Sequence, residues 1–157
     1  MLAHRRFNWY KYSQATVGRT LVVYDFDDTI THGTSNFERL LNVGSDKPYK
    51  WLQSFIKDYY KYGDNLYIMT ARYQKTFGDC KKKIRNFLKE FGINFPESNI
   101  ICSGFLPSSG GRKKDKFREI LDEKDIDTLI FIDDSQENKV SVGELKENYP
   151  QVDFIII

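Results

Sequence analysis

Leu21-Val22-Val23-Tyr24 is an unbroken apolar run that passes directly into Asp25-Phe26-Asp27-Asp28-Thr29-Ile30. Such a run predicts a strand buried on both faces, the habit of a central parallel strand. The pattern returns in Leu66-Tyr67-Ile68-Met69, Asn99-Ile100-Ile101-Cys102, Thr128-Leu129-Ile130-Phe131-Ile132 and Val152-Asp153-Phe154-Ile155-Ile156-Ile157. Between these runs the apolar period changes to that of a helix. Tyr49, Leu52, Phe55, Ile56, Tyr59 and Tyr60 predict one helix, ended by Gly63. Ile84, Phe87, Leu88 and Phe91 predict a second over about 79–91, stopped by Gly92 and carrying Lys81, Lys82, Lys83 and Arg85 on its solvated surface. Phe117, Ile120 and Leu121 predict a third near 114–123, and a short one is expected at about 139–148. Residues 31–47 read as a polar loop, and 103–112, with Pro107, Ser108, Ser109, Gly110 and Gly111, as another.

Strands alternating with helices predict an α/β fold. It should be a three-layer, Rossmann-like arrangement with a central parallel sheet of about five strands and right-handed crossovers. One domain over 20–157 accounts for this pattern, preceded by an extension over 1–19.

Ligands of open α/β sheets bind beyond the carboxyl ends of the strands. Asp25, Asp27 and Asp28 stand at such an end, Thr70 at another, and Asp133 and Asp134 at a third. Lysines 113, 114 and 116 open the helix before that third strand. Taken singly, each piece has an ordinary structural reading: acids suit turns, a threonine caps a loop, lysines solvate a helix. Together the carboxylates repel unless a cation or proton intervenes. Hard oxygen donors of this kind favour Mg2+ over a softer metal. A hydroxyl and an ammonium beside that cation would complete a phosphoryl site.

In their order along residues 20–157 these motifs resemble those of the haloacid dehalogenase superfamily of phosphohydrolases. Asp25-Phe26-Asp27-Asp28-Thr29 is similar to its first motif, with Asp28 where glycine is commoner. Thr70 is similar to the second motif, a lysine at a helix start to the third, and Asp133-Asp134 to the fourth. The resemblance implies that Asp25 is a nucleophile forming an aspartyl-phosphate, and that Asp27 is the general acid and base. It further implies Mg2+ held at Asp25, at the Asp27 main-chain carbonyl and at the Asp133-Asp134 pair. Thr70 and a lysine would hold the phosphoryl oxygens. Lys114, three residues before Phe117, is the preferred lysine, with Lys113 and Lys116 as alternatives. Arg72, in Thr70-Ala71-Arg72, resembles an arginine that reaches the substrate phosphate in some branches. His32 lies in the loop after the first motif, where it could touch substrate.

Few residues remain for a cap domain, and an uncapped site suits a phosphate at the end of a macromolecule. Residues 1–20 hold His4, Arg5, Arg6, Lys11 and Arg19, no acid, and the rings of Phe7, Trp9, Tyr10 and Tyr12. Rings interleaved with cations suit nucleic-acid binding, although packing against the domain's flank explains them too. With Arg72, Arg112 and Lys113 near the rim, the favoured substrate is a terminal phosphate on nucleic acid, as for phosphatase domains of polynucleotide-repair enzymes. A protein phosphatase, a nucleotidase and a catalytically silent phosphate-binding module stay open.

The net charge of +2 decides nothing about partners by itself. Cys80 and Cys102 form no disulfide framework, His4 and His32 no zinc site, and no apolar run suggests a signal peptide or membrane span. A soluble, cytoplasmic protein is the expectation.

Overall fold

The computed structural model describes residues 19–104 and 109–157, the side chains of 109–112 excepted. The readings of the extension before Arg19 and of the Arg112 side chain thus lie outside the described residues. In chain order the elements are β1 (Thr20–Tyr24), β2 (Thr31–His32), α1 (Asn36–Leu41), β3 (Lys47–Pro48), α2 (Leu52–Tyr62) and β4 (Leu66–Thr70). They continue with α3 (Cys80–Lys89), β5 (Ile100–Cys102), α4 (Ser109–Glu123), β6 (Thr128–Ile132), α5 (Gln136–Gly143) and β7 (Asp153–Ile156).

Five strands form one parallel sheet in the order β5-β4-β1-β6-β7. The expected three-layer α/β architecture is what the chain adopts. Strand alternation supplies both layers from the same strands. Val22 and Tyr24 join Ile68, Ile130 and Ile132 on the face covered by Phe55 of α2 and by Ile84 and Leu88 of α3. Leu21 and Val23 join Leu129 and Phe131 on the other face, under Phe117 and Leu121 of α4 and Val142 of α5. Both faces of β1 are therefore dry, which is why its sequence is apolar without a break.

The chain winds outward from β1 to β4 and β5, then returns across the sheet to β6 and β7. The reversal puts the switch of strand order between β1 and β6, where open sheets take their ligands. Tyr24 lies opposite Ile132 in the parallel register. Asp25 and Asp133, the next residues, consequently emerge side by side.

Three element readings change. Residues 31–47 are not a plain loop: they hold α1 and the antiparallel β2–β3 pair, Thr31 opposite Pro48 and His32 opposite Lys47. α1 buries no residue, its apolar Phe37, Leu40 and Leu41 included, and Ser35 and Glu38 hold its start with a reciprocal capping box. α4 begins at Ser109, earlier than expected, while the helix placed at 139–148 starts at Gln136 and tightens into a 3-10 turn over Glu144–Glu147. Asn138 and Glu137 can enter a first turn because Ser135 caps it, accepting from the Asn138 amide.

Among the described residues no helix is long and apolar enough to cross a membrane. The Phe117 ring is fully buried, edge-on to Phe131 at 4.9 Å between centroids. Phe117→Ala should lower the unfolding free energy by about 3–5 kcal/mol, the usual cost of emptying such a site, as read by urea denaturation.

Candidate active site

The two acidic strand ends meet as the register requires. The Asp25 amide donates to the Ile132 carbonyl at 2.8 Å, stitching the first residue past β1 onto β6. The Lys113 ammonium stands between the two carboxylates, donating to Asp25 Oδ1 at 2.6 Å and to Asp133 Oδ2 at 3.0 Å. All three residues are buried. Burial pushes the Asp25 carboxyl up to about 7, and neighbouring Asp133 adds to the rise while Lys113 opposes it. For Lys113, burial pulls the ammonium down, but the two carboxylates outweigh it and raise its pKa.

Neighbouring groups fix both carboxylates. Thr29 Oγ1 donates to Asp25 Oδ2 at 3.2 Å and accepts from the Asp134 amide, tying the loop after β1 to the loop after β6. Asp133 Oδ1 accepts from the Ser135 amide at 2.8 Å, and Oδ2 from Asn138 Nδ2 at 3.0 Å. Asn138 was not legible as a site residue. Its signal is local: Asp133-Asp134-Ser135-x-x-Asn138 puts a capped helix turn, and hence its side chain, over the strand end.

The lysine preference needs correction. Lys114 donates to Glu144 at 3.1 Å on the outer side of α4, and Lys113 alone of the described lysines joins Asp25 and Asp133. Helix phase explains the difference. Lys113 precedes the inward Phe117 by four residues, closer to the centre of the Phe117-Ile120-Leu121 stripe than Lys114, which precedes it by three. Lys116 lies 3.5 Å from Glu119, on the surface.

Asp27 and Asp28 belong to a second set of charges. Arg72 Nε and Nη2 donate to the two Asp27 oxygens at 2.9 and 2.6 Å, a bidentate pair. Arg39 grips Asp28 in the same fashion at 3.0 and 3.2 Å and lies 3.4 Å from Asp27. Asp28 has φ +62°, the left-handed backbone that favours glycine and that aspartate tolerates better than most residues. Arg39 is a site residue missed in the sequence, because it lies on α1; the Ser35-x-x-Glu38 spacing was the available sign of a helix there. Thr70 ends β4 beside β1, buried, and its hydroxyl oxygen accepts from the Arg72 amide at 3.3 Å. His32 stacks on Tyr49, ring centroids 4.6 Å apart, in the β2–β3 corner.

A cavity of about 220 Å³ opens between these groups. Asp25, Asp27, Asp28, Asp133 and Asp134 line it, with Arg39 and Lys113 as its cations; Ala71 reaches it, but Thr70 and Arg72 do not. A larger hollow of about 440 Å³ lies elsewhere, over Ser45, Asp79, Lys82 and Asn86, away from the strand-end acids. Comparison with known proteins found no matching family model, no matching curated protein and no matching solved structure. The site has to be read from its own chemistry.

Among the described residues no three His, Cys, Asp or Glu side chains converge in metal-binding geometry. The donor chemistry nevertheless fits a hard cation: Asp25 and Asp133 already share one cation, and Asp134 on the cavity wall adds a further carboxylate. Asp27 and Asp28 differ, since Arg72 and Arg39 engage both carboxylate oxygens of each. Cys80 and Cys102 are free thiols, Cys80 buried.

Lys113→Met would leave two buried carboxylates without their ammonium. It should destabilise the metal-free protein by roughly 3–5 kcal/mol in urea denaturation, the cost of breaking a buried ion pair from one side. Lys114→Met should stay within about 0.5 kcal/mol of the parent, as surface changes do.

Proposed function

We propose that this chain is a Mg2+-dependent phosphohydrolase of the haloacid dehalogenase kind, working through an aspartyl-phosphate on Asp25. The observation that carries the reading is the Asp25–Lys113–Asp133 bridge at the strand-order switch of the sheet. A nucleophilic carboxylate, a fixed ammonium and a second carboxylate converge there on one small cavity.

In the first step an Asp25 oxygen attacks phosphorus and the bond to the leaving oxygen breaks. Asp27 gives that oxygen a proton. In the second step water attacks the acyl-phosphate, Asp27 takes a proton from it, phosphate departs and the Asp25 carboxylate is restored. Lys113 and Arg39 are the cations available to phosphoryl oxygens at the cavity wall. Asp25, Asp133 and the Asp27 main-chain carbonyl would hold Mg2+, with Asp134 beside them. When bound, the cation supplies charge neutralisation for the phosphoryl group and the attacking carboxylate.

The proposed substrate is a terminal phosphate on a polynucleotide. Its support is the basic, ring-rich sequence before Arg19 and the absence of a cap sequence long enough to enclose a small molecule. Of the elements between β1 and α2, α1 reaches the cavity, through Asn36 and Arg39, and the β2–β3 pair does not line it.

Release of phosphate from an alkyl phosphomonoester tests the chemistry. Turnover should need Mg2+, stop with EDTA and vanish in Asp25→Asn, while Asp27→Asn should lose about 10²–10⁴-fold. A fully active Asp25→Asn protein with the parent melting curve would rule the nucleophile out.

For the substrate, kcat/KM for a 3′-phosphorylated oligonucleotide should exceed that for a 3′-mononucleotide and for a phosphopeptide. The oligonucleotide advantage should fall with salt, each phosphate contact adding about 0.7 to the log–log slope for a single strand. Equal rates on oligonucleotide and mononucleotide would remove the nucleic-acid reading and leave the phosphatase standing.

A further inference from the structure

Arg72 follows the end of β4, where an arginine could meet substrate, but its guanidinium is turned elsewhere. The side chain is 0% exposed and absent from the cavity wall. Nε and Nη2 are committed to Asp27. Nη2 also donates to Asp46 at 3.2 Å and lies 3.5 Å from Thr34 Oγ1. Nη1 is buried with no hydrogen-bond partner, and the plane sits over the Phe26 ring at 5.5 Å. The donor left unpaired, Nη1, is buried, and Arg72 is not among the residues that line the cavity. Arg39, by contrast, is 14% exposed and forms part of the wall.

We propose that Arg72, braced by Asp46, is a positioning residue that holds the Asp27 carboxylate at the reacting oxygen, and is not a ligand of the substrate. The proposal rests on the phosphohydrolase reading above. Asp27 lies on the loop beyond β1, outside the ladder that fixes the strand. Its side chain has two free torsions and reaches the cavity with 14% exposure. The bidentate fork removes that freedom, yet each carboxylate oxygen keeps a second lone pair for a proton. The fork is in turn fixed from behind: Asp46, 3% exposed, accepts from Arg72 and lies 3.4 Å from Lys83 Nζ, which also donates to the Gly44 carbonyl. A lysine in place of Arg72 could offer a point charge but not the planar fork.

Proton delivery matters most for a poor leaving group, so the two possible roles of Arg72 separate by substrate. Arg72→Lys is compared with the parent on an alkyl phosphomonoester and on p-nitrophenyl phosphate, whose leaving group departs with little help. Inhibition by inorganic phosphate reports binding. Positioning predicts a kcat/KM loss of about 10²-fold on the alkyl ester, the usual effect of displacing a reacting group by about 1 Å. The loss on p-nitrophenyl phosphate should be less than about 10-fold, with phosphate inhibition unchanged within about twofold.

A substrate ligand would instead weaken phosphate inhibition and cost both esters alike. That result overturns the proposal, as does an equal loss on both esters with unchanged inhibition, or no loss at all. If Arg72→Lys fails to give the parent melting curve, Asp46→Asn decides, because it removes the brace and leaves Arg72 in place. It should show the same selective loss on the alkyl ester at smaller size, and parent kinetics would overturn the proposal. Inactivity of the parent on both esters defeats the phosphohydrolase reading itself. An active parent, an inactive Asp25→Asn and an unselective Arg72→Lys defeat only the positioning role of Arg72.

Discussion

Two carboxylates and one ammonium, all out of water, set the terms for the rest of this molecule. Moving ions out of water is costly, and the cost is offset only when partners arrive in good geometry. Asp25 comes from β1, Asp133 from β6 and Lys113 from the crossover helix α4, so three distant segments must be in register before any of them is neutralised. The parallel pairing of Tyr24 with Ile132 supplies that register. Thr29, Ser135 and Asn138 then donate to the same two carboxylates. A core of apolar strands would tolerate small shifts; this bridge tolerates few.

What could be read in the sequence follows from the same physics. Strands dry on both faces appear as continuous apolar runs, so the sheet and its acidic ends, Asp25-Asp27-Asp28 and Asp133-Asp134, were legible. Which lysine turns inward was not. Helix phase favours Lys113, but the two lysines are neighbours, and the groups they meet, Asp25 and Glu144, come from segments distant in the chain. α1 is a six-residue helix whose marks in the sequence, the Ser35–Glu38 capping box and the Phe37, Leu40, Leu41 spacing, are short beside those of the helices that bury their apolar faces. Arg72 was visible as a residue at a strand end, but its partner was not, since Asp27 and Asp46 come from separate loops.

Away from the bridge, order is kept by polar contacts in place of apolar burial. Asp27, Arg72, Asp46 and Lys83 alternate in sign from the cavity outward. Asn42, at the left-handed end of α1 with φ +56°, donates through Nδ2 to the Tyr73 and Gly78 carbonyls and to Thr76 Oγ1. Gly78 approaches so closely that an added Cβ would sit 2.2 Å from the Asn42 carbonyl oxygen. The loop after β4 is thereby pinned to the helix that carries Arg39. Phe37 and Phe77 on these two segments can stay exposed because the segments do not depend on burying them.

The charge of the cavity wall bears on what the site could be for. Among the described residues that line the cavity, the carboxylates of Asp25, Asp27, Asp28, Asp133 and Asp134 outnumber the cations Arg39 and Lys113, and Arg72 pairs with Asp27 from behind the wall. Arg39 is already engaged by Asp28 and Lys113 by the bridge. A module meant to hold phosphate passively would show the opposite balance, since an anion entering this wall is repelled. A divalent cation would reverse that sign and, by favouring the ionised carboxylate, oppose the burial that pushes the Asp25 carboxyl up. On the proposed reading the metal is therefore needed to admit the phosphoryl group as well as to activate it. On that reading the excess of carboxylates is the feature that suits the wall to a bound cation.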